Sequence, residues 1–148
     1  MAVERAALAL AAEASDGWAR IDLVIQATVP VQLTTVEVHS VDGTPLSLEL
    51  PKVVTVDLLR ARQRMYEPGR GTWFSASLTV FPDGGHQAEF NFDDDPGWDP
   101  PLHPVAFARD LEFFPRDGEH VPPWLAEQLR LAEVAEAEHQ AQSAPPSA

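Results

Sequence analysis

Met65–Pro96 reads MYEPGRGTWFSASLTVFPDGGHQAEFNFDDDP, and this run decides the fold. Glu67-Pro68-Gly69-Arg70-Gly71 ends a helical pattern, because proline cannot continue a helix and glycine takes turn conformations readily. From Thr72 to Phe81 apolar and polar residues then alternate. Phe74, Ala76, Leu78 and Val80 fall on one face, and Ser75, Ser77 and Thr79 on the other. Pro82-Asp83-Gly84-Gly85 is a turn of the kind that joins antiparallel strands. His86–Phe92 alternates again, with Ala88, Phe90 and Phe92 inward, until Asp93-Asp94-Asp95-Pro96 stops it by charge repulsion and a missing amide. A hairpin with one buried face follows.

Working outward, Ala2 to Ala14 is rich in alanine and predicts a helix closed by Ser15-Asp16-Gly17. Trp18–Val29 alternates as a strand, with Ile21, Leu23 and Ile25 in phase. A second strand, Val31–Val41, changes parity near Thr34-Thr35, which predicts a bulge there. Leu46, Leu48 and Leu50 suggest a short edge strand or an extended connection. Beyond Pro51, the residues Val54, Leu58, Ala61 and Met65 form one apolar stripe on a helix of about four turns. Arg60, Arg62 and Arg64 fall largely off that stripe and predict a basic helix surface.

On the other side of the hairpin, Gly97–Pro104 reads as a wrapping loop pinned by Trp98. Val105–Phe114 predicts a short helix with Val105, Ala108 and Leu111 aligned. Pro122-Pro123 opens a final helix with Leu125, Leu129 and Ala132 on one face. The expected architecture is a single α+β domain over residues 1–139: a mostly antiparallel sheet of four to five strands with helices packed on it. Residues 140–148 are expected to be a mobile tail.

A chain of 148 residues is long enough to bury a core, and 45% hydrophobic content argues against wholesale disorder. Ten basic against 23 acidic residues give a net charge of −13, a surface that repels nucleic acid and anionic lipid. A basic protein partner suits it; so does solubility alone. The absence of cysteine excludes disulfides, thiol chemistry and thiolate metal sites, and is compatible with the cytoplasm. No apolar run approaches the ~20 residues of a membrane span. The stretch Ala6–Ala12 reads better as an alanine-rich helix than as a secretion signal, since Glu4 spoils a positive leader.

Asp93, Asp94, Asp95 and Asp99 form the densest charge cluster, with Trp98 beside them. Carboxylate oxygens suit hard cations, but the spacing lacks the glycine and glutamate of a calcium loop, and turn capping explains the aspartates as well. The five histidines fall singly in the sequence, so no metal site is assigned. Neither a serine nucleophile turn nor a phosphate-binding glycine motif is present, and no cofactor or catalytic residue is assigned.

The run Leu58–Trp98 resembles the central region of YezG-like immunity proteins, the antitoxins of polymorphic toxin systems. The resemblance is carried by the arginine-bearing helix ending at Met65-Tyr66, the Pro68–Trp73 turn, and Phe90-Asn91-Phe92-Asp93 followed by Asp95-Pro96. Phe114-Pro115-Arg116 and Pro122-Pro123-Trp124-Leu125 are similar to the closing segment, and the likeness spans roughly residues 18 to 130. The high proline content resembles actinobacterial versions. One departure is Phe92, where many relatives are expected to carry tyrosine. The resemblance implies a bacterial antitoxin that binds a cognate toxin domain and blocks it. The lack of catalytic signatures leads to the expectation of a non-enzymatic cytoplasmic protein, and the acidic charge suits a basic toxin of the nuclease type, neutralised by occlusion. Asp93, Asp94, Asp95, Trp98 and Asp99 are the candidate contacts. Two rival readings are a small-molecule or protein-binding module of the same fold and a hydrolase using the Asp93–Asp95 carboxylates.

Overall fold

The computed structural model describes residues 2–143. The alanine-rich segment forms α1 (Ala2–Glu13), followed by β1 (Trp18–Ala27) and β2 (Gln32–Ser40). A crossover helix α2 (Lys52–Arg64) leads to the central hairpin, β3 (Ser75–Val80) and β4 (His86–Asn91). Two further helices close the chain, α3 (Pro104–Phe113) and α4 (Pro123–Ser143), with a single 3-10 turn at Gly118–His120 between them. The strands make one antiparallel sheet in the order β2-β1-β3-β4, so two hairpins lie side by side and pair through β1 and β3. The domain is α+β, as the alternation and helix stripes predict.

Two apolar cores hold it. In the first, α1 and α2 cover one sheet face. Ala6, Leu10, Val54 and Leu58 pack there on Ile21, Leu23, Ile25, Ala76, Leu78 and Val80, with Phe90 and Phe92 half-buried at its border. The second forms where Phe74, Phe107 and Leu125 meet, flanked by Trp98, Trp124 and Leu129. Phe74 stands edge-on to both Phe107 and Trp124, at 6.0 and 5.3 Å between ring centroids, a geometry that the aromatic quadrupole favours. It therefore belongs to a different core from Ala76 and Leu78, the residues that share its parity.

Of the two alternatives for Leu46–Leu50, the extended connection is the one that forms, with a single isolated bridge from Leu46 to Val38. Other expectations are corrected. Pairing runs without interruption through Thr34 and Thr35; the register shift lies instead in β1, between Trp18 and Arg20. The hairpin ladder starts at Ser75 rather than Thr72. Phe74 nevertheless extends the pairing by donating its N–H to Asn91 O and accepting from Ala27 N.

Arg62 is not part of a basic surface. Arg60 and Arg64 are exposed, but Arg62 is buried. On α3 the innermost residues are Ala106, Phe107 and Asp110, beside the expected Val105-Ala108-Leu111 line, because the helix turns Asp110 inward to meet Arg62. Helix α4 runs on to Ser143, past Gln140; residues 144–148 of the expected mobile tail lie outside the described residues. No helix among the described residues is long and apolar enough to cross a membrane.

Candidate functional site

The helices α1 and α2 cover one face of the sheet, and the opposite face carries its polar residues. Asp22, Val24 and Gln26 of β1 lie there beside Ser75, Ser77 and Thr79 of β3 and Glu89 and Asn91 of β4. The chain leaving β4 folds back onto this face. Gln26 Nε2 donates to Pro96 O at 2.6 Å, and Asn91 Nδ2 donates to Ser75 Oγ at 3.1 Å. A cleft of about 450 Å³ opens where the exit loop meets the strands, lined by Val24, Ser75, Ser77, Glu89, Asp93 and Asp94 among others. Arg70 also lines it; its guanidinium carbon lies 4.4 Å from the Phe92 ring centroid and its Nη1 is 2.7 Å from Glu67 Oε2.

The four loop aspartates, alike in sequence, differ in what their side chains do. Asp93 Oδ1 faces Arg116 Nη1 at 3.3 Å, and its carbonyl accepts the Trp124 indole N–H at 2.7 Å. Asp95 Oδ1 accepts from Gly97 N at 3.0 Å and closes a local turn in which Gly97 takes φ +71. For Asp94 the backbone alone is engaged: its N–H donates to Asn91 Oδ1 and its carbonyl accepts from Asn91 Nδ2, both at 2.8 Å. Asp94 and Asp99 are exposed, and among the described residues neither carboxylate takes part in a hydrogen bond or an ion pair. Trp98 is half-buried against the second core, with its indole nitrogen buried and without a partner among the described residues.

The loop is held from beneath by Arg116, a residue that the sequence reading placed only in a closing motif. Its side chain is 1% exposed. It donates to Thr72 O, Phe92 O and His120 O and lies 4.8 Å from the centre of the Phe74 ring. Burial lowers its pKa from the ordinary arginine value, and Asp93 opposes that shift. Room for Arg116 depends on Gly71, at φ +88, where a Cβ would stand 2.5 Å from Arg116 Nε. The arginine thus fixes where the aspartates are presented.

A second polar group sits further along the open face. Asp22 is paired with Glu37, and Arg20 with His39, across β1 and β2. Asp22 Oδ2 lies 2.9 Å from His39 Nε2 and 3.0 Å from Arg20 Nε, while Thr79 Oγ1 donates to Asp22 Oδ1 at 3.1 Å. Sequence reasoning missed this group because its members come from three strands. The only local signal is Glu37-Val38-His39, whose two-residue spacing puts two ligand-type side chains on one strand face. Elsewhere, His103 caps α3 by accepting from Val105 N at 3.1 Å.

The cleft lining contains no histidine or lysine, and Asp93 and Asp95 are already engaged with Arg116 and a turn amide. No protein-family model matches this sequence and no curated protein matches it, so the likeness to YezG-like immunity proteins rests on the motifs quoted above.

Proposed function

We propose that this chain is an immunity-type inhibitor acting in the bacterial cytoplasm, binding one basic toxin domain and occluding it without catalysis. The observation that carries the reading is the state of the loop. Its backbone is fixed by Asn91, Gln26 and Arg116, while the carboxylates of Asp94 and Asp99 are exposed and without a partner among the described residues. Charges held on a rigid scaffold lose little freedom on binding, and in a chain of net charge −13 they steer a basic partner toward that surface. Trp98 supports the loop from below, because its ring packs into the second core; it is a brace more than an exposed anchor. A module for a small polar molecule is the second reading, favoured by the cleft of about 450 Å³ beside the same loop.

The test is capture of bound polypeptide from the native host, with wild type compared against an Asp94→Lys, Asp99→Lys double variant. The proposal expects one basic toxin domain retained by the wild type and lost from a variant that melts at an unchanged temperature. Equal capture by both proteins rejects the acidic loop as the contact. Specific retention of a small molecule with no protein supports the second reading.

A further inference from the structure

Glu37 and His39 leave the open side of β2 two residues apart, and Asp22 stands opposite Glu37 on β1. Their ligand atoms converge. His39 Nε2 is 2.9 Å from Asp22 Oδ2 and 3.8 Å from Glu37 Oε2, and one ligand atom from each of the three residues lies within 4.8 Å of the other two. Donor atoms around a tetrahedral zinc ion, each about 2.0–2.2 Å from the metal, are separated by about 3.3–3.6 Å. The separations to His39 bracket that distance, so small side-chain rotations at these surface positions bring the three into range.

Two further observations point to a cation here. The first is a conflict at His39 Nε2. Asp22 Oδ2, at 2.9 Å, can only accept and so requires a proton on that nitrogen. Arg20 Nη2, at 3.3 Å, can only donate and so requires a lone pair on the same nitrogen. No tautomer satisfies both contacts. A metal ion satisfies all three groups at once, since it takes the Nε2 lone pair and one oxygen from each carboxylate, and the guanidinium swings out to water. The second observation is the support behind Asp22. Thr79, on β3, donates to Oδ1 at 3.1 Å and leaves Oδ2 turned toward His39. Such outer partners orient metal ligands.

We propose that Asp22, Glu37 and His39 form a binding site for a divalent transition-metal ion of the zinc type, which enters by displacing the Arg20 guanidinium. One imidazole with two carboxylates suits zinc better than magnesium, which prefers an octahedral shell of oxygens and keeps its waters. Three protein ligands leave a fourth tetrahedral position for water. The ligands come from β1 and β2, not from the loop proposed above to bind a partner.

The experiment titrates the tag-free full chain with Zn²⁺ by calorimetry and with Co²⁺ by visible absorption. Wild type should bind one equivalent, and Mg²⁺ should not compete. Removal of a ligand in His39→Ala or Glu37→Gln should weaken binding by at least about 10-fold, and loss of the outer partner in Thr79→Val by about 10-fold. Arg20→Ala should bind more tightly, because the competing cation is gone, and His86→Ala on β4 should match the wild type. The Glu37 side chain is 78% exposed, so Glu37→Gln decides the matter even if His39→Ala fails to fold. Absence of saturable Zn²⁺ binding by the wild type below about 1 mM, or affinity unchanged in Glu37→Gln, overturns the site. Binding unaltered in Arg20→Ala overturns the displacement.

Discussion

Arg62 on α2 meets Asp110 on α3 through two parallel nitrogen–oxygen contacts of 2.7 Å, with both side chains no more than 3% exposed. The pair joins the two cores. Arg62 Nε also donates to Trp73 O at 2.7 Å, and its guanidinium lies 5.2 to 5.9 Å from the ring centres of Phe114, Trp73 and Phe74. Asp110 Oδ1 in turn accepts from Val29 N at 2.8 Å, which ties the β1–β2 turn to α3. A bidentate, fully hydrogen-bonded pair is the form in which buried charge is tolerated.

Breaking one half of that pair leaves a charge buried without its counterion. Asp110→Ala should therefore cost about 3–5 kcal/mol in urea unfolding. Replacing both, as Arg62→Met with Asp110→Leu, should cost much less than the two single changes added together. Additive losses would show that the pair does not act as a unit.

Phenylalanine contributions should follow the core each ring belongs to. Phe74→Ala, at a fully buried position touching Phe107 and Trp124, should lose about 3–5 kcal/mol. Phe90 is only half-buried, 5.9 Å from the Trp73 ring, so Phe90→Ala should lose about 2 kcal/mol. Denaturant midpoints at constant m-value decide between this ranking and equal losses.

Acid stability should depend on Asp57. Its side chain is 1% exposed and ion-paired with Arg5 of α1; that hydrogen bond is the largest cause holding its pKa below the usual carboxylate range, opposed by burial and assisted by the charges of Arg5, Arg60 and Arg64. A carboxylate depressed in the folded state stabilises the fold above its unfolded pKa, about 3.9, and loses that contribution as pH falls through the folded value. Thermal melts of wild type should thus drop below about pH 4. Asp57→Asn should be less stable at neutral pH and show a shallower acid decline. An identical pH slope in both proteins would refute the coupling.

Neighbouring loop aspartates should separate by role. Asp94→Lys should weaken binding of the proposed basic partner and leave the melting temperature nearly unchanged, because only its backbone is engaged. Asp95→Ala should lower the melting temperature through loss of the bond from Gly97 N. The association rate should fall as salt shortens the Debye length from ~10 to ~3 Å. A rate indifferent to salt, with full inhibition by Asp94→Lys, would remove the acidic-patch mechanism.

By itself the sequence determined the elements whose signal is local. The two-residue alternation of Ser75–Val80 and His86–Asn91, the Asp83-Gly84-Gly85 turn and the stripe Val54-Leu58-Ala61 were legible because side-chain period depends only on neighbours along the chain. The acidic loop was legible too, as composition. What only the tertiary structure decided is which polar residues meet. Arg62 reads as one exposed arginine among three until Asp110, 48 residues away, is brought beside it. Glu37 and His39 are two residues apart, but Asp22 and Thr79 lie far from them in sequence, and strand order alone places the four in one patch. Asp94 and Asp95 differ only in the partners that the folded loop supplies. Periodicity records which face a residue turns to the core, whereas a charge acquires its role from what stands opposite, and that is set by the order in which the strands and helices pack.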